Sequence, residues 1–423
     1  MSILLPREFS EPASPLPGWR GMLPWVKLGY DLSNAWQEAA VEHSIAWNAA
    51  CLEALGSTFP GNTLREKIEQ NTRLLNFPFD IHRAYDNAKA AERVGSAPLR
   101  EPLPDFSAFL RRHPRAEIWH EILADFPSVR VSHIVHPGAD ANTPNIVEVV
   151  QNSGNTADKG LGTAEAFYAI GHVRLVQHRE PRYVDNAVRI DLNHSATAVA
   201  SVIKAQTGRS WVIGTSQAGI VSMLAASRVA DRLAGLIVIG SPVHPQIAPG
   251  FTSLAARYIT QDPEFIRIAD AYPGAGRSVL PGAVMKVMFT LAGESCGHND
   301  QQNLPAELIS GEAGMLDWFR RAQLTKGTCV RLGNQTYDLS AIMAAVIMVI
   351  AKQDLIVNPR QTLHLHLATP NALSHDVVEI EGGHYDLLKT RVLEDSVLPV
   401  VNKREAFMSA RLMPTPRPMA LAS

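Results

Sequence analysis

The stretch Trp211-Val212-Ile213-Gly214-Thr215-Ser216-Gln217-Ala218-Gly219-Ile220-Val221-Ser222-Met223-Leu224 organises the reading of this chain. An apolar run ends at Ile213, and an apolar pattern at helical spacing begins at Ile220, so the six residues between them form a strand-to-helix turn. Small residues on both sides of Ser216 let the backbone reverse sharply and hold the hydroxyl clear of the strand end, the geometry of a nucleophile elbow. A serine hydroxyl needs such a position because it is a weak nucleophile. It must be reached by a base and be paired with backbone donors for a developing oxyanion. The position where the usual motif has a second glycine is Ala218.

Two further loops supply the partners. The apolar run ending Val346-Ile347-Met348-Val349-Ile350 leads into Lys352-Gln353-Asp354-Leu355-Ile356-Val357-Asn358-Pro359, and Val377-Val378-Glu379-Ile380 leads into Glu381-Gly382-Gly383-His384-Tyr385. Ser216, Asp354 and His384 therefore follow one another in the chain, each at the carboxyl end of a predicted strand. Asp386 and Asp338 are the alternative acids. That order, Ser then Asp then His, separates this pattern from the two other large groups of serine hydrolases.

On these residues the segment from about Val129 to Leu388 resembles an α/β-hydrolase domain. Within that superfamily, Leu316-Asp317-Trp318-Phe319, the run Gly327 to Gly333, Tyr337-Asp338-Leu339 and Asp354-Leu355-Ile356-Val357 are similar to polyhydroxyalkanoate synthase and depolymerase-like members. Those synthases carry cysteine as nucleophile, whereas this chain has Ser216. The resemblance implies Ser216 as nucleophile, His384 as base and Asp354 as its orienting acid. It also implies oxyanion donors at the backbone of Gln217 and, after the strand Ile146 to Gln151, at Asn152 in preference to Ser153. The implied chemistry is hydrolysis of a carboxylic ester or thioester with an apolar acyl group, through an acyl-enzyme. Acyl transfer, polyester handling, or binding on an inactive hydrolase scaffold are the alternatives.

Outward from the elbow, strands alternate with helices, which calls for a mainly parallel sheet covered on both faces. Strands are expected at 129–135, 145–151, 173–177 and 236–239, and helices at 163–170 and 189–206. Before them lies a helical N-terminal extension over 1–127, whose last helix is expected across 117–126. The first part of the core spans 128–241. A helical cap follows over 242–338, where α/β-hydrolases with lids usually carry the insertion; the second part of the core spans 339–402, and a tail 403–423. In the cap, Met285, Met288 and Phe289 share one helical face and Trp318 lies on another. These faces either pack the cap on the core or line an adaptable acyl pocket.

Composition excludes several functions. A formal net charge of −2 over 423 residues, with scattered Lys and Arg, provides no basic field for nucleic acid. Three distant cysteines, Cys51, Cys296 and Cys329, form neither a disulfide framework nor a metal motif. His364 and His366 are two apart in a helical stretch and point to different faces, so no metal is expected. Gly160-Leu161-Gly162 and Gly274-Ala275-Gly276 lack the residues of nucleotide-binding loops, so no cofactor is expected either. No run reaches the length of a membrane span, and no signal sequence opens the chain; a cytoplasmic enzyme acting on a small-molecule or polyester acyl substrate is the expectation. Self-association, if present, is expected through the helical N-terminal portion.

Overall fold

The computed structural model describes residues 103–138, 143–150, 161–179, 191–248, 327–354 and 356–412, together with 101, 183–184, 252, 280–281, 309–310, 318 and 323–325. Residues 1–100 of the expected extension over 1–127, most of the cap with Met285, Met288 and Phe289, the loop residue Asn152 and the tail beyond 412 lie outside the described residues.

Eight strands build the main sheet: β1 (Glu117–Leu123), β2 (Phe126–Val135), β3 (Asn145–Val149), β4 (His172–His178), β5 (Ser210–Thr215), β6 (Leu233–Ile239), β12 (Ala345–Ala351) and β13 (Ser374–Ile380). Their spatial order is β1-β2-β4-β3-β5-β6-β12-β13. Only the β1–β2 and β2–β4 pairs are antiparallel; from β4 onward neighbouring strands are parallel. Parallel central strands are covered on both faces, so they read as unbroken apolar runs. β6 (Leu-Ala-Gly-Leu-Ile-Val-Ile) and β12 (Ala-Val-Ile-Met-Val-Ile-Ala) are buried at every residue.

Two apolar layers form, one on each face. On one side α3 (Leu192–Lys204) and α4 (Gln217–Ser227) cover Val147, Val149, Val212, Leu236 and Met348. On the other, α1 (Ser107–Arg112), α2 (Leu161–Tyr168) and the C-terminal helix α7 (Leu398–Leu412) flank Ile146, Leu175, Ile213, Ile237 and Ile347. The helices α5 (Pro359–Leu363) and α6 (Leu365–Ala368) connect β12 to β13. Asp191 caps α3 by accepting the His194 N–H at 2.8 Å. Arg404 of α7 grips Asp376 of β13 through two guanidinium nitrogens, at 2.7 and 2.5 Å. The Trp211 indole N–H on β5 bonds Glu405.

Two expectations are corrected. Residues 117–123 form an edge strand, not a helix: Ile118, His120 and Ile122 alternate with Trp119 and Glu121, and pairing with β2 overrides the helical reading. The end of the expected helical cap is also β structure. β9 (Gln323–Thr325), β10 (Cys329–Leu332) and β11 (Gln335–Asp338) make a three-stranded antiparallel sheet. There Val330, Leu332 and Tyr337 are buried while Arg331 is exposed, a period of two, and Gly333-Asn334 form the two-residue hairpin turn. The short strands β7 (Leu280–Pro281) and β8 (Ile309–Ser310) pair antiparallel.

Candidate active site

Ser216 sits between β5 and α4 with φ 54 and ψ −120, and among the described residues it is the only non-glycine with positive φ. This conformation costs free energy and persists where its surroundings over-determine it. The Ser216 N–H donates to Ile239 O of β6 at 2.8 Å, and Thr215 pairs with Ile239 in register. The sequence around the turn accommodates close approach. A Cβ at Gly214 would lie 2.3 Å from Ala218 O, and one at Gly219 would lie 1.9 Å from Ser241 Oγ. The tight contacts thus fall at Gly214 and Gly219, and Ala218 fits as a buried side chain.

His384 opens a 3-10 turn, His384–Leu388, at the carboxyl end of β13. Its Nδ1 lies 2.7 Å from Asp354 Oδ2, and both residues are buried. Because an ionised carboxylate only accepts, this bond makes Nδ1 the protonated nitrogen and leaves Nε2 as the basic one. Asp354 is itself oriented: its Oδ1 accepts the backbone N–H groups of Ile356 at 3.0 Å and Val357 at 2.8 Å. The two loops are laced together by Gln353 N–H to Gly382 O at 3.0 Å and Lys352 N–H to Ile380 O at 2.9 Å. Asp386, an alternative acid in the sequence, accepts the Gly383 N–H at 2.7 Å and pairs with Lys389, so it braces the turn that carries the imidazole. Asp338, the other alternative, accepts the Ser340 N–H at 3.0 Å at the end of β11.

Gly240 joins the two halves. It follows Ile239, the residue that anchors the Ser216 amide, and a Cβ placed on it would lie 3.3 Å from both Nδ1 and Cε1 of His384. The imidazole therefore rests against the β6 exit, one residue from the elbow's own anchor. Sequence reading did not single out Gly240; a glycine directly after a buried strand is its only trace there.

Gln217 is the first residue of α4 and is buried. Its N–H belongs to the first turn, where amides have no acceptor within the helix. Trp318 is fully buried in the same apolar layer as α3 and α4, and its indole N–H donates to Pro242 O at 2.9 Å. It thereby ties the insertion to the chain leaving β6. Among the described residues no group of three His, Cys, Asp or Glu side chains is placed to hold a metal ion, and no helix is long and apolar enough to cross a membrane.

Strand order, two antiparallel pairs at one edge, and a strained serine at the end of β5 define the architecture. The chain has the α/β-hydrolase fold. No family model matches the sequence, and no curated protein matches it. Among solved structures, a putative lipase (lip1) from Acinetobacter baumannii AYE is similar at 14% identity and TM-score 0.43, over 73% of this chain and 100% of that one. A membrane phospholipase A described as a bacterial virulence factor is similar at 15% identity and TM-score 0.42, over 72% of this chain and 90% of that one. Est1E from Butyrivibrio proteoclasticus is similar at 15% identity and TM-score 0.38, over 71% of this chain and 99% of that one.

Proposed function

We propose that this protein is a serine hydrolase that cleaves a carboxylic ester or thioester through an acyl-enzyme, with Ser216, His384 and Asp354 as its triad. The observation that carries this reading is the buried 2.7 Å bond between His384 Nδ1 and Asp354 Oδ2, set beside the β6 exit that anchors the strained Ser216. In the reaction, Ser216 Oγ attacks the carbonyl carbon as His384 Nε2 takes its proton. Asp354 keeps the imidazole in the tautomer that can do so, and stabilises the imidazolium once formed. The Gln217 N–H, at the positive end of α4, is the first oxyanion donor, and Asn152 after β3 is assigned the second.

The protonated imidazole then returns its proton to the leaving alkoxide or thiolate. Water, deprotonated by His384 Nε2, attacks the acyl-enzyme and releases the acid and the free serine. The acyl group is assigned an apolar character, with Met285, Met288, Phe289 and Trp318 of the insertion as its surroundings. A fluorophosphonate probe followed by an ester panel graded in acyl length tests this function: labelling at Ser216 with turnover lost in Ser216→Ala supports it, and an unlabelled Ser216 with no turnover overturns it in favour of a non-catalytic binding role. Faster capture of the acyl group by an added alcohol or thiol than by water would redirect the reading to acyl transfer.

A further inference from the structure

The main sheet ends at β13, which pairs with β12 on one side and, among the described residues, with no strand on the other. Ile380 O accepts the N–H of Lys352, just past β12, at 2.9 Å. The even-numbered residues of β13 therefore turn their backbone groups to β12, and His375, Val377 and Glu379 turn theirs outward. Proteins blunt such an edge with lysine, proline or a bulge. β13 has none of these: it reads Ser-His-Asp-Val-Val-Glu-Ile, and its register with β12 is unbroken.

By strand alternation the side chains of His375, Val377 and Glu379 share one face. Val377 is 47% exposed, and Glu379 is exposed as well. His375 is held in place: its Nε2 lies 2.9 Å from Thr369 Oγ1, and its ring stands edge-on to His366 with centroids 4.3 Å apart. Glu379 comes only within 3.9 Å of Lys352, whose ammonium bonds Glu381 instead. On the reverse face Asp376 is gripped by Arg404 of α7. Phe407, three residues along α7 and exposed, stands on the same side of that helix and adds apolar surface to the edge.

This pattern fits itself. Where two β13 strands run antiparallel about a two-fold axis at Val377, Val377 meets Val377, and His375 of each copy lies opposite Glu379 of the other. A carboxylate beside an imidazole favours its protonated form, so two opposite-charge pairs flank an apolar centre. An axis at His375, Asp376 or Glu379 sets like groups face to face, and one at Val378 sets Val377 against Glu379. At the other end of the sheet β1 offers no such match: its carboxylates are Glu117 and Glu121, and Glu121 already lies 2.8 Å from His133 of β2. A two-fold interface requires one patch to complement itself. We propose that this protein forms a symmetric homodimer through β13, antiparallel about Val377, which joins the two eight-stranded sheets into one. β13 leads straight into the turn that carries His384, so the second copy braces that strand. The dimer is independent of the reaction assigned to Ser216.

Sedimentation equilibrium of the full chain across a dilution series tests it, beside circular-dichroism spectra. The wild type is expected at twice the chain mass. Val377→Lys sets two ammonium groups against each other at an exposed position, and is expected to fall to the chain mass with a wild-type spectrum. Glu379→Lys is expected to weaken the dimer by about tenfold, and the double variant His375→Glu with Glu379→Lys, which exchanges the charges of both pairs, to recover it. Val377→Cys reads the register directly. Opposed Cα atoms of a hydrogen-bonded antiparallel pair lie about 5.5 Å apart, within disulfide reach, so mild oxidation is expected to give a covalent dimer that the wild type does not form. A monomeric wild type overturns the proposal, as it would if another segment of this chain or a different protein occupied the edge. A Val377→Lys dimer as tight as wild type overturns it too, and moves the interface elsewhere, to the N-terminal portion or to β1. So does a dimeric Val377→Cys that does not cross-link, and this variant decides the matter whether or not the lysine is tolerated.

Discussion

His384 Nδ1 and Asp354 Oδ2 approach to 2.7 Å across two loops that are thirty residues apart in the chain and laced together by backbone bonds. Asp354 accepts from two amides and one imidazole, so its position is set independently of any substrate.

Asp354→Asn follows directly. The amide can still accept the Ile356 and Val357 N–H groups through Oδ1, so the loop and the melting temperature are expected to stay close to wild type. Its NH2 in place of Oδ2 would favour the opposite imidazole tautomer, with the proton on Nε2, where it cannot act as base. Ester turnover is expected to fall by about three to four orders of magnitude. Steady-state kinetics beside a circular-dichroism melt checks both halves.

Two substitutions at Ser216 separate chemistry from strain. Ser216→Ala and Ser216→Gly should both abolish turnover and fluorophosphonate labelling. At φ 54 alanine remains in the strained left-handed region while glycine does not, so Ser216→Gly is expected to be more stable than Ser216→Ala by about 1 kcal/mol. Urea denaturation of the two variants measures the difference; equal midpoints would remove strain from the description of the elbow.

Gly240→Ala probes the junction between serine and histidine. The new methyl would sit 2.6 Å from Leu387 Cδ1 and 3.3 Å from the imidazole, on a backbone of φ 47. The His384 ring must move to admit it. A fall in kcat of about one to two orders of magnitude is expected, with a smaller change in KM. Wild-type kcat in a folded Gly240→Ala would show that the imidazole has slack there.

His178 gives a pH signature unconnected with the triad. Its Nε2 lies 2.6 Å from Ser195 Oγ, and burial, with His194 beside it, lowers its pKa to about 3. The unfolded chain takes up a proton near the ordinary value of about 6.5, and the folded protein does not until about 3. Between these values the unfolded state binds more protons, so His178 makes stability fall as pH drops from about 6.5 towards 3. His178→Gln is expected to flatten that part of the curve, measured as urea midpoints from pH 7 to pH 4; a slope as steep as wild type would contradict it.

Much of the candidate site was legible because each proposed partner terminates an apolar run. Ser216, Asp354 and His384 all follow strands that read as strands, and parallel connectivity places such ends on one edge of the sheet. Edge and hairpin strands were harder. Residues 117–123 and 323–338 mix polar residues into short segments, and their strand character comes from pairing with β2 or with one another. Gly240 and Asp386 carry no distinctive local pattern, since their parts in the site consist of contacts with residues brought up by other loops.

The amino-acid sequence by itself determined the alternating strand and helix order, the elbow, and the chain order of serine, acid and histidine, because apolar periodicity and turn residues are local properties. The tertiary structure alone decided which aspartate meets His384, among Asp338, Asp354 and Asp386, and that Glu148 is buried in the sheet instead of solvated. Both depend on the strand order β4-β3-β5-β6-β12-β13, which puts β3 between two apolar neighbours and brings the β12 and β13 loops side by side. Burial and long-range pairing exist only once those strands are assembled.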